Sequence, residues 1–236
     1  MLIHYDMPLW RPPSEADSFI LQATLGCSFN RCSFCSMYRT KTFAIRPLAA
    51  VVGDIEAMAR AQADIRRVFL ADGDALAAPT EHLLAILQNL HAAFPRLERV
   101  ASYALPVNLL KKSTDELVRL REGGLGLLYY GIETGSAELL KRITKGATAE
   151  VMAAGLRKAK QAGLRISATV ILGLGGQDDW REHIDATAEL VNQVELDYLS
   201  TLQLMLDPLI ESEFRRKFRQ PFQEQDDRSL LLEQVR

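Results

Sequence analysis

The sequence predicts an α/β fold built around a parallel sheet, and three observations carry that prediction. From Phe19 onward, short apolar segments rich in β-formers alternate with longer stretches whose apolar residues recur at helical period. Six such strand-plus-helix units follow one another. The boundaries between them carry the residue types that start and stop helices. With right-handed crossovers, consecutive units of this kind make either an open doubly wound sheet or an incomplete barrel, and both place chemistry at the carboxyl ends of the strands.

In chain order, the strands are expected at residues 19–25, Arg67–Ala71, 99–103, 127–132, Arg165–Leu172 and 198–205. The helical patterns between them cover residues 49–63, 80–94, Thr114–Glu122, 136–162 with a break near Gly146, and 180–194. Thr80 follows Pro79 and precedes Glu81, and Ser113 and Thr114 precede Asp115 and Glu116, which is the chemistry of a helix start. Gly123, Gly124 and Gly163 stand where helices should stop. No internal repeat, low-complexity segment or Gly/Ser/Pro-rich linker divides the chain. Three parts are expected: an N-terminal segment at 1–18, a core domain at 19–208 and a charged C-terminal helical segment at 209–236. That last segment ends at Arg236 without a capping signal and reads as truncated, too short to build both a lid and a substrate pocket.

Composition narrows the class. The chain has 236 residues, 48% hydrophobic and 25% charged, which suffices for a full core without staples. Its net charge of -2, with acids and bases interspersed, carries no electrostatic footprint for nucleic acid. The basic run at 214–219 is expected to be a solvated helix face. No apolar run reaches the roughly eighteen residues of a membrane span, and residues 1–13 lack a signal-like segment, so the expected location is the cytoplasm.

All three cysteines fall between positions 27 and 35, in the stretch Gly26-Cys27-Ser28-Phe29-Asn30-Arg31-Cys32-Ser33-Phe34-Cys35-Ser36-Met37-Tyr38 that directly follows the first expected strand. An odd, clustered set argues against a disulfide framework and for a metal site or a reactive thiol. A structural zinc would need a fourth ligand. The histidines available are His4 at the terminus and His82, His91 and His183 in amphipathic helical patterns, where surface or rim positions are expected. A cubane iron–sulfur cluster held by three cysteines leaves one iron open to a small molecule. Cluster, zinc and unligated thiols all stand as readings of the spacing alone.

The loop resembles that of the radical S-adenosylmethionine (SAM) superfamily, with Phe34 as the aromatic residue before the last cysteine. The commonest family spacing has three residues between the first two cysteines, whereas here Ser28 to Arg31 make four. The resemblance extends over residues 19–208 and implies a partial (β/α)6 barrel of TIM type. It implies that Cys27, Cys32 and Cys35 hold a 4Fe-4S cluster, with Phe34 beside the cofactor. Leu70-Ala71-Asp72-Gly73-Asp74 resembles the family's glycine-glycine-glutamate segment, so Asp72, Gly73 and Asp74 are expected at the SAM methionine amine. An acidic turn opening a helix would use the same residues. Glu133, at the end of the fourth strand, is expected at the SAM ribose or methionine part, although an acid at a helix N-terminus accounts for it too. The backbone of Ile171, Leu172 and Gly173, followed by Gly175 and Gly176, resembles the adenine-receiving segment. Ser102 and Ser167 are expected on the barrel interior, in reach of SAM.

By this resemblance the chain is an enzyme that cleaves SAM reductively to a 5′-deoxyadenosyl radical, which abstracts hydrogen from an unidentified substrate. Reduced flavodoxin or ferredoxin is the implied electron donor. The phrasing Gly-Cys-Ser-x-Asn-Arg-Cys resembles a stand-alone branch labelled similar to oxygen-independent coproporphyrinogen dehydrogenase. A non-catalytic iron–sulfur or haem-handling protein on the same scaffold is the alternative.

Overall fold

The computed structural model describes residues 3–218 and 221–235. Arg219, the last residue of the basic run, and the terminal Arg236 lie outside the described residues. In chain order the elements are β1 (Phe19–Gln22), β2 (Thr24–Leu25), β3 (Ala44–Ile45), α1 (Leu48–Ala61), β4 (Arg67–Ala71), α2 (Thr80–Ala93), β5 (Arg99–Ala104), α3 (Pro106–Lys111) and α4 (Thr114–Glu122). They continue with β6 (Leu125–Glu133), α5 (Ala137–Arg142), α6 (Ala149–Gln161), β7 (Arg165–Leu172), α7 (Trp180–Asn192), β8 (Tyr198–Gln203), α8 (Pro208–Arg216) and α9 (Asp227–Val235). The main sheet is six-stranded and parallel in the order β1-β4-β5-β6-β7-β8, and its two ends do not pair with each other.

Alternation along each strand sorts the side chains onto two faces. Leu21, Val68, Leu70, Val100, Leu128, Tyr130, Ile166, Ala168 and Val170 face the helices and form the main core with Val51, Ile55, Leu83, Leu87, Leu117, Leu120, Met152 and Leu156. The inner face carries Ile20, Phe69, Ala71, Ala101, Tyr103, Leu127 and Tyr129. There Phe69, Tyr103 and Tyr129 stack edge to face with ring centroids 5.0, 6.0 and 6.4 Å apart. The N-terminal segment seals this face. Leu9 packs on it, and the fully buried Glu15 accepts from Tyr129 Oη at 2.6 Å and pairs with Arg99. An unpaired carboxylate could not sit there, so the ion pair and hydroxyl are what let the segment dock.

The expected first strand breaks at Ala23. Its N–H goes to the Ala71 carbonyl at 2.6 Å while its carbonyl accepts from Arg46 N at 3.1 Å, and β2 leaves the sheet to pair antiparallel with β3. This two-residue ribbon closes the base of the cysteine loop. Helix α3, opened by Pro106, is too short to show a period and was not expected. The expected helix at 136–162 resolves into α5 and α6 about Gly146, whose φ of +76° favours glycine. At α4 the expected start is a full capping box, Glu116 N donating to Ser113 Oγ at 3.1 Å and Ser113 N to Glu116 Oε2 at 2.8 Å. The last strand stops at Gln203, two residues early, and Asp207 caps α8 by accepting from Leu209 N at 2.8 Å.

The segment after Pro208 does more than its charge suggested. Phe214, Phe218 and Phe222 gather with centroids 4.7 to 4.9 Å apart, and they pack with Ile143, Ile171 and Leu174 at the carboxyl end of the sheet. Helix α9 lies over the end of β7, where Glu233 Oε2 accepts from Gly173 N at 2.8 Å. A C-terminal cover over β7 is thus present in this chain.

Candidate functional site

The cysteine loop is built by short-range tethers to the ends of β4 and α5. Gly26 has φ +67° and donates its N–H to Asp72 Oδ2 at 2.9 Å, while its carbonyl accepts from Gly73 N at 3.1 Å. Asn30, also left-handed at φ 44°, closes the loop by donating Nδ2 to the Tyr38 carbonyl at 2.7 Å. On the far side Ser33 N donates to the Ile143 carbonyl at 2.9 Å, and the Phe29 ring rests where a Cβ on Gly146 would stand, 2.5 Å away. Glycine at 146 therefore serves both the turn and the close approach.

Cys27, Cys32 and Cys35 are free thiols, each half-buried, and near enough to one another to interact electrostatically. Burial raises the pKa of all three thiols above the ordinary value, that of Cys32 to about 12, and so makes them weaker acids. Their thiolates would therefore need a compensating positive charge, of the kind a bound metal provides. Among the described residues no three His, Cys, Asp or Glu side chains converge as a ready site for a single metal ion.

Lys145 is a candidate site residue that the sequence reading did not include. It is buried, donates to Glu133 Oε1 at 2.9 Å, and lies near Cys32 and Cys35. Burial alone would lower its pKa, but the Glu133 carboxylate, with Cys32 and Cys35, outweighs that and holds it raised, so it stays charged. Glu133 reaches this position because the β6–β7 register shifts between Gly131 and Glu133, where Glu133 takes φ +65°. A Cβ on Gly131 would stand 1.9 Å from Glu133 Oε1 and 3.0 Å from Lys145 Nζ, so the pair occupies the space that glycine leaves. A lysine one residue before a helix-breaking glycine carries no signal in the sequence alone.

The acidic segment after β4 divides into two roles. Asp72 is fully buried and its carboxylate is already taken by Gln22 Nε2 at 3.0 Å, Gly26 N at 2.9 Å and Lys41 Nζ at 2.8 Å. Asp74 is equally buried and takes neutral donors, Ser28 Oγ, Asn108 Nδ2 and the Ala77 backbone, with Lys111 adding a weaker charge effect, and burial outweighs them all and pushes its pKa up to about 6. Gly73 lies between them, and a Cβ there would stand 2.4 Å from the Tyr38 ring and 3.2 Å from Cys27 Cβ. The Tyr38 hydroxyl is buried with no hydrogen-bond partner among the described residues.

The remaining expected residues separate. Ser167 lies on the inner face, in register with Tyr129, as expected. Ser102 does not: it is in register with the outward-facing Leu70 and Leu128, and its hydroxyl donates to the Tyr103 carbonyl at 2.9 Å. A one-residue step along a strand exchanges faces, which corrects the expectation for Ser102. Phe34 packs against the Ile171, Phe214 and Phe222 cluster. At the end of β7 the Ile171 carbonyl lies 3.1 Å from His183 Nε2, Leu172 O accepts from Leu204 N at 2.9 Å, and Gly173 N donates to Glu233. His183 is not on a rim. It is buried, with Nδ1 2.7 Å from Thr134 Oγ1 and Nε2 3.1 Å from Glu233 Oε1, close but not aligned for a hydrogen bond. A nearby cavity of ≈ 360 Å³ is lined by Arg142, Gly176, Asp179, Phe218 and Phe222, and no cysteine reaches it.

Comparison with known proteins places this geometry. The family model described as the radical SAM superfamily matches residues 21–191. Among curated proteins the chain is similar to the haem chaperone HemW of Bacillus subtilis, 21% identical over 148 residues, which is 62% of this chain and 38% of that protein. It is also similar to a putative methylthiotransferase of Methanocaldococcus jannaschii, 24% identical over 200 residues, 80% of this chain and 39% of that one. Among solved structures, coproporphyrinogen III oxidase (HemN) of Escherichia coli, described as a radical SAM enzyme, superposes with a TM-score of 0.68 at 18% identity, over 92% of this chain and 51% of that one. The fold is thereby the partial (β/α)6 barrel of TIM type, open between its first and last strands. The chain spans 17 to 39% of the curated relatives' lengths. No helix among the described residues is long and apolar enough to cross a membrane.

Proposed function

The chain belongs to the radical SAM superfamily, whose cofactors are a 4Fe-4S cluster and SAM, and from that premise we propose that Cys27, Cys32 and Cys35 hold the cluster in an enzyme acting on a substrate not yet named. One observation carries the proposal. Three free thiols share one tethered loop beside a buried, charged Lys145–Glu133 pair. The donor set fits the group: three thiolates serve three irons and leave one open, and the sequence has no fourth cysteine to close it. When bound, the cluster and SAM supply reductive carbon–sulfur cleavage and a 5′-deoxyadenosyl radical that removes hydrogen from the substrate.

The chain's own residues bind, orient and exclude water. Asp74, a buried acceptor with no ion pair among the described residues, suits the ammonium of the SAM methionine part. Gly73 lets the backbone approach, while Asp72 holds the loop through Gly26 and Lys41. Lys145 offsets thiolate charge and offers its ammonium to a carboxylate, with Glu133 orienting it. The end of β7, Ile171 to Gly173, suits an adenine edge once Glu233 yields the Gly173 N–H. Residues 19–208 form the core that does this, and reduced flavodoxin or ferredoxin in the cytoplasm is the donor class it needs.

The test is anaerobic reconstitution, iron and sulfide analysis, and 5′-deoxyadenosine formation from SAM with dithionite. About four irons and four sulfides per chain and measurable 5′-deoxyadenosine are expected, with both lost in Cys27→Ala, Cys32→Ala or Cys35→Ala. Stoichiometric zinc without sulfide would overturn the assignment. A full cluster with no 5′-deoxyadenosine would favour a second reading, a haem-handling protein, for which the similarity to HemW speaks. Haem titration into the same preparation separates the two.

A further inference from the structure

Arg39 stands four residues past Cys35, beyond the motif, and reaches back into it. Its Nε donates to the Cys35 carbonyl at 3.2 Å and its Nη2 to the Cys32 carbonyl at 2.9 Å, so one guanidinium brackets the turn that Cys35 N closes on Cys32 O. The same Nη2 lies 3.2 Å from Glu213 Oε2 on α8. The other Glu213 oxygen lies 3.2 Å from Lys217 Nζ, which donates to Thr144 Oγ1 at 2.6 Å beside Lys145. A polar chain thus runs from the cysteine turn through α8 to the wall of the site. The Arg39 side chain is only 21% exposed, which weakens screening of its charge.

An iron–sulfur cluster gains negative charge when reduced, and a fixed cation next to two of its ligands stabilises that state. A planar guanidinium held by two carbonyls stays in place as no lysine ammonium would. A carboxylate paired with it offsets part of the field. We infer that Arg39 is a positioning residue that sets the reduction potential of the cluster held by Cys27, Cys32 and Cys35, and that Glu213 tempers it, so that the docking of α8 governs how readily the cluster is reduced. The inference rests on the cluster reading proposed above.

The experiment uses the reconstituted full chain and reads iron and sulfide content with the midpoint potential from a redox titration followed by electron paramagnetic resonance. Arg39→Met with a full cluster should be reduced about tenfold less favourably, about 59 mV lower for a one-electron couple. Arg39→Lys, keeping the charge, should fall between it and the parent. Glu213→Gln should move the potential the opposite way, upward. An unchanged potential in a fully loaded Arg39→Met protein overturns the inference. If that variant holds no cluster, Glu213→Gln decides alone, since it leaves the contacts to the cysteine carbonyls in place: an upward shift supports the inference, and no shift or a downward one overturns it. A parent chain that takes up no cluster would instead defeat the reading beneath, before any potential is measured.

Discussion

Asp74 is a carboxylate that the fold holds at a cost, which a bound ammonium would relieve. Its pKa rises from 3.8 to about 6 because burial outweighs the hydrogen bonds from Ser28 and Asn108. Each tenfold in acidity is worth about 1.4 kcal/mol, so at neutral pH the ionised group costs the cluster-free protein about 3 kcal/mol. The sign follows from linkage: the folded state prefers the protonated acid, so the cost is absent below pH 3.8, grows as pH rises from there, and is complete above about 6. Asp74→Asn keeps the shape, presents an acceptor to Asn108 and a donor to Ser28 Oγ, and removes the charge. Urea unfolding of cluster-free protein should find the variant more stable by about 2–3 kcal/mol at pH 8, with the gap closing near pH 4. Equilibrium dialysis of the cluster-loaded variant against SAM should show binding at least about tenfold weaker, the loss of one charge-assisted contact. Equal stability at pH 8 would refute the burial argument, and undiminished SAM binding would refute the assignment of the ammonium to Asp74.

Removing one partner of the Lys145–Glu133 pair should hurt more than removing both. Glu133→Ala strands a buried ammonium and should cost about 3–5 kcal/mol, whereas Glu133→Ala with Lys145→Met should recover most of that in thermal unfolding while still failing to bind SAM. At the other end of the site, Glu233→Ala frees the Gly173 N–H and the edge of His183. Cluster-loaded Glu233→Ala should bind SAM more tightly by titration calorimetry, and weaker binding would mean that α9 helps to form the adenine edge.

The alternation of strands and helices, the capping box at Ser113 and the glycine stops made the sheet legible because each rests on neighbours in sequence. The cysteines were legible for the same reason, since nine consecutive positions hold all three. What stayed hidden depends on contacts across the fold. Lys145 reads as a surface cation until the turn at Gly146 carries it beneath Phe29 and onto Glu133. Ser102 was placed on the wrong face because a single polar residue on an apolar strand does not say which way the strand is phased, and only pairing with Leu70 and Leu128 does. His183 shows helical period and a polar name, yet it is buried by Glu233, fifty residues later.

These hidden positions have two causes. Lys145 and His183 are polar groups buried by partners from elsewhere in the chain, Ser102 is turned by the phase of its strand, and burial of the first kind is stable only when the partner arrives. The buried groups that the fold leaves without a full partner are then the informative ones. Among the described residues no ion pair holds Asp74 and the Tyr38 hydroxyl has no hydrogen-bond partner, while burial raises the pKa of all three thiols. Asp72, with donors on all sides, is spent on structure. Asp74, Tyr38 and the three cysteines border the same loop, and together they outline the site that a cluster and an ammonium-bearing ligand would fill.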